Sequence, residues 1–187
     1  MTAKEFVKSI AHEKKDLLAD FIGLLRKEKI PFCIIGGLAV NAYAEPVVSL
    51  DIDVVVVAGS YKKLLGNLKD EYKVKKFPKF PNSFNITSPD SDMRIQIQTD
   101  KRYQPFISRA RVKRVLGYKL PVASIEDVLS GKIRAVLDAT RRPSKRQKDL
   151  ADILRLIEAK RELISLVPAS LKKRLSFQEF SPLQKGD

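Results

Sequence analysis

Two aspartates inside an apolar stretch constrain this chain more than any other feature. Asp51 and Asp53 alternate with Leu50, Ile52 and Val54, and the stretch continues into a run of valines that is typical of a buried strand. Since side chains alternate along a strand, both aspartates project from one face. Neighbouring carboxylates in apolar surroundings are costly, and a divalent cation relieves that cost. Asp51 and Asp53 are therefore candidate metal ligands, with a solvated strand end as the alternative.

A glycine pair precedes the aspartates. Gly36-Gly37 follows a predicted strand at 32–35 and precedes a predicted short helix at 38–44. Glycine lets the backbone approach a phosphate closely, and the N-terminus of a helix favours an anion. The pattern predicts a phosphate-binding turn, and a strand–helix turn without a ligand is the alternative.

Hydrophobic periodicity predicts an α/β fold with a mixed sheet, followed by helices. It predicts a long helix at 4–29 and further strands at 51–57, 72–77, 83–87, 93–99 and 112–116. After Pro121 the pattern is helical, with helices at 125–139 and 145–159 and another after Pro168. We expect a mixed-sheet core at residues 1–120 and a helical C-terminal region at 121–187 packed on that core.

The charge balance favours polyanionic partners. The chain has 36 Lys and Arg against 22 Asp and Glu, a formal net charge of +14, which favours nucleic acid, nucleotides or an acidic protein. A lysine-rich surface without such a partner is the alternative. The single cysteine, Cys33, excludes an internal disulfide, and the single histidine, His12, excludes a histidine-rich metal site. Without a long apolar run or a secretory signal, we expect no membrane partner and a cytoplasmic location.

The glycine turn and the aspartate strand together resemble the signature of the DNA polymerase beta-like nucleotidyltransferase superfamily. The runs Gly-Gly-Leu-Ala-Val and Ser-Leu-Asp-Ile-Asp are most similar to AbiEii/AbiGii-type toxin nucleotidyltransferases. The resemblance implies transfer of a nucleoside monophosphate from a nucleoside triphosphate (NTP) to an acceptor hydroxyl. It also implies that Mg²⁺ or Mn²⁺ is held by Asp51 and Asp53, and that phosphates contact Gly36, Gly37 and Ser49. The basic surface favours RNA, such as a tRNA end, as the acceptor, and the family implies a toxin with an antitoxin partner.

Lys132 and two aspartates on the next helix form a second candidate group. Lys132 falls among the apolar positions of its helix, where a charge needs a partner or a function. Asp149 falls within the apolar face of the following helix, and Asp152 lies at its edge. A structural ion pair such as Lys132 with Asp149 is one interpretation, and a lysine that snorkels to the surface is another. The AbiEii-like resemblance implies instead that Lys132 contacts the triphosphate and that Asp149 or Asp152 completes the nucleotide site.

Two departures from the superfamily pattern concern this site. A third acidic residue usually stands on a later strand, and the matching segment here places Gln96 and Gln98 where the acid is expected. A neutral amide cannot act as a general base at neutral pH. Either another residue deprotonates the acceptor, or the site is weakened or inactive. Val47 also stands where an arginine is often found, which removes one expected phosphate contact.

Three functions remain consistent with the sequence. The first is a Mg²⁺-dependent nucleotidyltransferase that acts on RNA. The second is a catalytically weakened or inactive nucleic-acid or nucleotide-binding protein on the same fold. The third is a nucleotidyltransferase that modifies a small molecule or a protein. The basic segment 141–148 predicts contacts with a nucleic-acid backbone, with a solvated loop as the alternative.

Overall fold

One seven-stranded sheet organises the first part of the chain. The computed structural model describes residues 3–12, 14–68, 70, 72–77 and 80–175. The strands in chain order are β1 (Phe32–Ile35), β2 (Asp51–Val56), β3 (Lys73–Phe77), β4 (Phe80–Ser88), β5 (Ser91–Gln98), β6 (Arg111–Val115) and β7 (Tyr118–Val122). Across the sheet their order is β3-β4-β5-β2-β1-β7-β6.

The pairing confirms the predicted mixed sheet. β1 pairs antiparallel with β2, and the β3–β4, β4–β5 and β6–β7 pairs are also antiparallel. β2 pairs parallel with β5, and β1 pairs parallel with β7. The fold is therefore α/β with a mixed sheet, and β2 lies at its centre between β1 and β5.

Alternation along β2 and β5 separates a buried face of the sheet from a polar one. Ile52 and Val54 are buried, whereas Asp51 and Asp53, which alternate with them, are partly exposed. In β5 the buried residues Met93, Ile95 and Ile97 alternate with Arg94, Gln96 and Gln98. Burial of the aliphatic face anchors both strands, and this fixes the register in which the polar side chains face outward.

The long helix predicted at 4–29 is wrong, because the structure divides it into two helices. These are α1 (Ala3–Ile10) and α2 (Leu17–Lys27). Between them His12 has a positive φ of 46°, and the Asp16 side chain caps α2 by accepting a hydrogen bond from Ala19 N at 3.0 Å. The apolar periodicity continues across this interruption, so it does not reveal the turn. The other helices that end within the first 128 residues are α3 (Gly36–Val40), α4 (Tyr61–Gly66) and α5 (Gln104–Arg109).

Strand β7 is present in the structure but is not predicted from the sequence. It follows β6 through Leu116 and Gly117, which have φ values of 49° and 84°. Two consecutive residues with positive φ form the type I′ turn that suits a tight hairpin. Pro121 inside β7 obscures the strand in the sequence, because proline cannot donate a ladder hydrogen bond.

The remaining helices lie at the C-terminal end of the described chain. They are α6 (Ile125–Leu137), α7 (Pro143–Ala159) and α8 (Ala169–Lys172), with 3₁₀ turns at Arg161–Leu166 and Lys173–Leu175. Contacts divide the chain into residues 1–128 and 129–187, so the division falls within α6. The predicted boundary between residues 120 and 121 stays a prediction. The end of the chain after residue 175 lies outside the described residues.

Candidate active site

Gly36 stands directly against Asp53. β1 places Ile35 opposite Asp53 in the antiparallel register, and Gly36 follows at the start of α3. Gly36 has a φ of +67°, and a Cβ built on it would overlap Asp53 Oδ2. Only glycine avoids both the left-handed strain and this overlap. The turn is therefore shaped around the carboxylate of Asp53.

Gly37 is held less tightly than its neighbour. A Cβ on Gly37 would lie 4.0 Å from Ser49 Oγ, which is an ordinary van der Waals distance. Ser49 Oγ in turn accepts a hydrogen bond from Asp51 N at 3.3 Å. The structure thus brings Gly36, Gly37, Ser49, Asp51 and Asp53 together at the start of β2, as the sequence pattern predicts.

Val47, which replaces the expected arginine, lies in the loop before β2. Its side chain is exposed, and its backbone is held at both polar atoms by Asn41. Asn41 Nδ2 donates to Val47 O at 2.8 Å, and Val47 N donates to Asn41 Oδ1 at 3.0 Å. The loop is therefore fixed by backbone contacts, while Val47 has no charge for a phosphate.

Arg94 is a residue of this site that the sequence pattern does not reveal. The parallel register sets Arg94 beside Asp51, and its Nη2 and Nε lie 2.7 and 3.0 Å from Asp51 Oδ1. The sequence places Arg94 on the same face as Gln96. It does not reveal which β2 residue lies opposite, because the order and register of distant strands are long-range properties.

Gln96 stands beside Asp53, where the superfamily pattern leads one to expect a carboxylate. The register pairs the two residues, and Gln96 Nε2 donates to Ser83 Oγ on β4 at 3.2 Å. The nearby acids have other partners: Asp92 contacts His12 at 2.7 Å, and Asp100 accepts from Arg102 N at 2.9 Å. The hydrogen bond from the Arg102 side chain lowers the pKa of Asp100. Neither acid is in register with a residue of β2.

The paired carboxylates fit a divalent cation that shares its coordination with substrate. Within the described residues, no group of three or more Asp, Glu, His or Cys side chains is placed to hold a metal ion. Mg²⁺ is commonly held by one or two carboxylates together with water and substrate phosphates. Asp51 and Asp53 provide two carboxylates on one face, so the donor set fits an ion that arrives with a triphosphate.

The second candidate group forms a buried ion-pair cluster. Lys132 Nζ lies 2.9 Å from Asp149 Oδ1 and 2.6 Å from Asp152 Oδ2. Arg141 Nε contacts Asp149 Oδ2 at 2.6 Å, and Arg155 Nη1 contacts Asp152 Oδ1 at 2.7 Å. The ion pair between Lys132 and Asp149, left open by the sequence, is thus present, with Asp152 as a second partner. Lys132, Asp149 and Asp152 belong to residues 129–187, whereas the aspartate pair belongs to residues 1–128.

Electrostatics keep Lys132 charged in spite of its burial. Burial is the largest single influence and opposes the charge, but the carboxylates of Asp152 and Asp149 together outweigh it. The pKa of Lys132 is therefore raised above its usual value. Asp149 and Asp152 are 2% and 3% exposed, so neither carboxylate is solvated and both depend on these cations.

The basic segment 141–148 is mostly helical. Pro143 begins α7 and Arg142 is its N-cap residue, so the interpretation as a loop is wrong for most of the segment. Proline suits the first helical position, because its missing N–H has no partner there in any case. Arg141 is engaged with Asp149, while Lys148 is exposed.

The sheet, the glycine turn and the aspartate pair define a nucleotidyltransferase fold. ANT(2″)-Ia in complex with adenylyl-2″-tobramycin is similar, with a TM-score of 0.59 and 15% identity, covering 84% of this chain and 96% of that chain. Lincomycin-bound LnuA, a lincosamide antibiotic adenylyltransferase, has a TM-score of 0.53 and 15% identity, covering 74% and 95%. An antigenic nucleotidyltransferase-like protein from Paracoccidioides brasiliensis has a TM-score of 0.53 and 17% identity, covering 92% and 90%.

The family follows from the sequence of the larger part of the chain. A sequence model of the AbiEii nucleotidyl transferase toxins of type IV toxin–antitoxin systems matches residues 70–184, more than half of the chain. The protein belongs to this family and is a nucleotidyltransferase. The match begins after the glycine turn and β2, so it does not depend on the motifs that carry the first resemblance. No curated protein sequence matches the chain.

Among the described residues, no helix combines the length and the apolar character needed to cross a bilayer.

Proposed function

We propose that this nucleotidyltransferase uses Mg²⁺ to transfer a nucleoside monophosphate from an NTP to a hydroxyl of RNA. The observation that carries the proposal is the placement of Asp51 and Asp53 on one face, with the Gly36 turn shaped around Asp53. A tRNA end would present such a hydroxyl, and the net charge of +14 favours a polyanionic acceptor. As a toxin of this family, the protein would be inhibited by an antitoxin.

Each residue of the aspartate site would have a distinct role in the reaction. Asp51 and Asp53 would hold Mg²⁺ or Mn²⁺, which neutralises charge on the phosphates and lowers the pKa of the acceptor hydroxyl. The backbone at Gly36 and Gly37 and the hydroxyl of Ser49 would orient the phosphates. Gln96 can orient a hydroxyl by hydrogen bonding but cannot remove its proton, so the proton would leave to solvent or to phosphate.

Arg94 would tune the same site. Its guanidinium lies against Asp51, so a metal ion and Arg94 would share that carboxylate. The side chain of Arg94 is 54% exposed and can turn toward an entering phosphate without leaving a buried group unpaired.

Lys132, Asp149 and Asp152 are proposed as further nucleotide-binding residues. The three cations and two carboxylates of the cluster leave one positive charge in excess, which suits a triphosphate. Asp149 and Asp152 would hold the Lys132 ammonium in place.

The test is nucleotide labelling of RNA. Purified protein is incubated with Mg²⁺, each labelled NTP and total RNA, and we expect labelled RNA with the wild type. Asp51→Asn with Asp53→Asn should abolish labelling. Asp70→Asn with Glu158→Gln, two exposed acids, is the matched control and should keep it. Labelling that persists in the Asp51/Asp53 variant would show that the site is assigned wrongly.

A second candidate function is binding without catalysis. It is favoured by Gln96 in place of the expected acid and by the engagement of Asp51 with Arg94. In that case the wild type labels no acceptor, yet binds RNA with a steep salt dependence. If only a small molecule or a protein becomes labelled, the enzyme has a different acceptor.

A further inference from the structure

Two rows of polar side chains run across the sheet from the aspartate pair to the edge strand β3. The registers of β2, β5, β4 and β3 set the members of each row side by side on one face. The Asp51 row consists of Asp51, Arg94, Thr87 and Lys73. The Asp53 row consists of Asp53, Gln96, Asn85 and Lys75. Contacts from Arg94 to Asp51 and from Gln96 to Ser83 show that side chains of β2, β5 and β4 meet on a common face, and the β3–β4 register places Lys73 and Lys75 next in the rows.

Positive charge dominates the rows beyond the aspartates. The six positions on β5, β4 and β3 hold three cations and no carboxylate. Lys73, Lys75, Arg94 and Gln96 are exposed, while Thr87 and Asn85 are half-buried. Lys73 and Lys75 are exposed on the edge strand, so a ligand in solvent can reach both charges.

We propose that these two rows bind the backbone of a single-stranded nucleic acid whose terminal hydroxyl lies at Asp51 and Asp53. The inference rests on the proposed function and states where on the sheet its RNA acceptor would bind. Neighbouring strands are ~4.8 Å apart, so three steps from β2 to β3 span about 14 Å. One small anion cannot cover that length. An extended polyanion can reach the lysines on β3 while its end stays at the aspartates.

The chemistry of the rows favours contacts with phosphates and sugars over reading of bases. Lysine and arginine neutralise phosphates, and the hydroxyl of Thr87 and the exposed amide of Gln96 offer hydrogen bonds. Neither row contains an aromatic residue on which a base would stack. Binding is therefore expected to depend strongly on salt and little on sequence. An acidic peptide would use the lysines but would gain nothing from the continuation to Asp51 and Asp53.

The experiment compares two double variants of equal charge. Lys73→Glu with Lys75→Glu reverses both row lysines, and Lys27→Glu with Lys62→Glu reverses two exposed lysines on α2 and α4. Binding of a fluorescent single-stranded RNA is measured by anisotropy over a range of salt, without NTP. The row variant should lose about tenfold or more in affinity, and its salt slope should fall by about 1.4, or about 0.7 per phosphate contact. The control should change affinity by less than about threefold, because global charge acts weakly at long range in salt.

Three results would overturn the proposal. Equal losses in the two double variants would show that only overall charge matters. Competition by polyglutamate as effective as competition by RNA of equal charge would assign the face to an acidic peptide. Unchanged binding by Lys73→Gln with Lys75→Gln, which removes the charge without reversing it, would show that the lysines make no contact.

RNA labelling by the same proteins separates this inference from the proposed function. If the row variant loses RNA binding but the wild type labels no RNA, the result supports RNA binding by the rows and shows that the proposed acceptor is wrong. If the wild type labels RNA and the row variant binds and labels as the control does, the result supports RNA as the acceptor and shows that the rows do not bind it.

Discussion

The two groups of charged residues differ in how their charges are balanced. Asp51 is about one-third exposed and contacts Arg94, which is itself 54% exposed. Lys132, Asp149 and Asp152 are almost inaccessible, and their cluster contains three cations and two carboxylates. Partly exposed charges can exchange a protein partner for a ligand at little cost, whereas buried charges cannot lose a partner without a large loss of stability. The difference indicates that the aspartate pair is suited to chemistry and that the cluster contributes first to folding.

The largest expected effect on stability comes from breaking the buried cluster. Lys132→Met leaves Asp149 and Asp152 with less compensating charge, so the free energy of unfolding should fall by about 3 kcal/mol. Chemical denaturation measures the change. Lys148→Met, an exposed position on α7, is the control and should stay within about 0.5 kcal/mol of the wild type. Equal effects of the two substitutions would show that the cluster is not a stabilising element.

The glycine turn offers a matched pair with a smaller expected effect. Gly36→Ala meets Asp53 and requires a positive φ, so it should lower the free energy of unfolding by about 2 kcal/mol. Gly37→Ala has room within α3, and alanine favours a helix by up to about 1 kcal/mol relative to glycine, so stability should be kept or raised. Thermal unfolding of both variants decides the matter, and similar losses would mean that Gly36 is not uniquely constrained.

The pH dependence of the cluster has a definite sign. The pKa of Lys132 is raised in the folded state by Asp152 and Asp149, which outweigh burial. Its contribution to stability is therefore complete below the pKa of an unfolded lysine and is lost as pH rises through the higher folded pKa. The difference in unfolding free energy between the wild type and Lys132→Met should shrink only at strongly alkaline pH. A difference that instead disappears near neutral pH would contradict the raised pKa.

The smallest expected effect on stability concerns Arg94. Arg94→Gln removes an exposed ion pair, so the free energy of unfolding should change by less than about 1 kcal/mol. Affinity for Mn²⁺ should rise a few-fold, because Asp51 no longer shares its charge with a guanidinium. Calorimetric titration of the wild type and the variant gives the ratio. A fall in affinity would show that Arg94 supports the metal site rather than competing for it.

Local patterns in the sequence predict much of the fold and of the candidate site. The strand around Ile52 and Val54 follows from its apolar pattern, and the Gly36 turn follows from the glycine pair. Helical periodicity offers the Lys132–Asp149 contact as one of several alternatives, and the structure contains it. The break between α1 and α2 and the position of β7 are not predicted by these patterns. Hydrophobic periodicity carries no signal for single residues with positive φ, such as His12 and Leu116.

Long-range register accounts for the features of the site that the sequence does not predict. The contact between Arg94 and Asp51 depends on the parallel pairing of β2 with β5, which are separated in the chain by β3 and β4. The same pairing creates the two rows, whose members come from four strands. Pro143 shows a local ambiguity instead, because proline either ends a helix or begins one, and here it begins α7.

Mn²⁺ binding tests most directly the claim that Asp51 and Asp53 form a metal-phosphate site. The folded protein would be titrated with Mn²⁺ in the presence of a non-hydrolysable NTP. Electron paramagnetic resonance would measure the free Mn²⁺, with the NTP alone as the blank. We predict bound Mn²⁺ in the wild type, loss of that binding in Asp51→Asn with Asp53→Asn, and retention in the Asp70→Asn, Glu158→Gln control. Equal Mn²⁺ binding by the wild type and the Asp51/Asp53 variant would contradict the account.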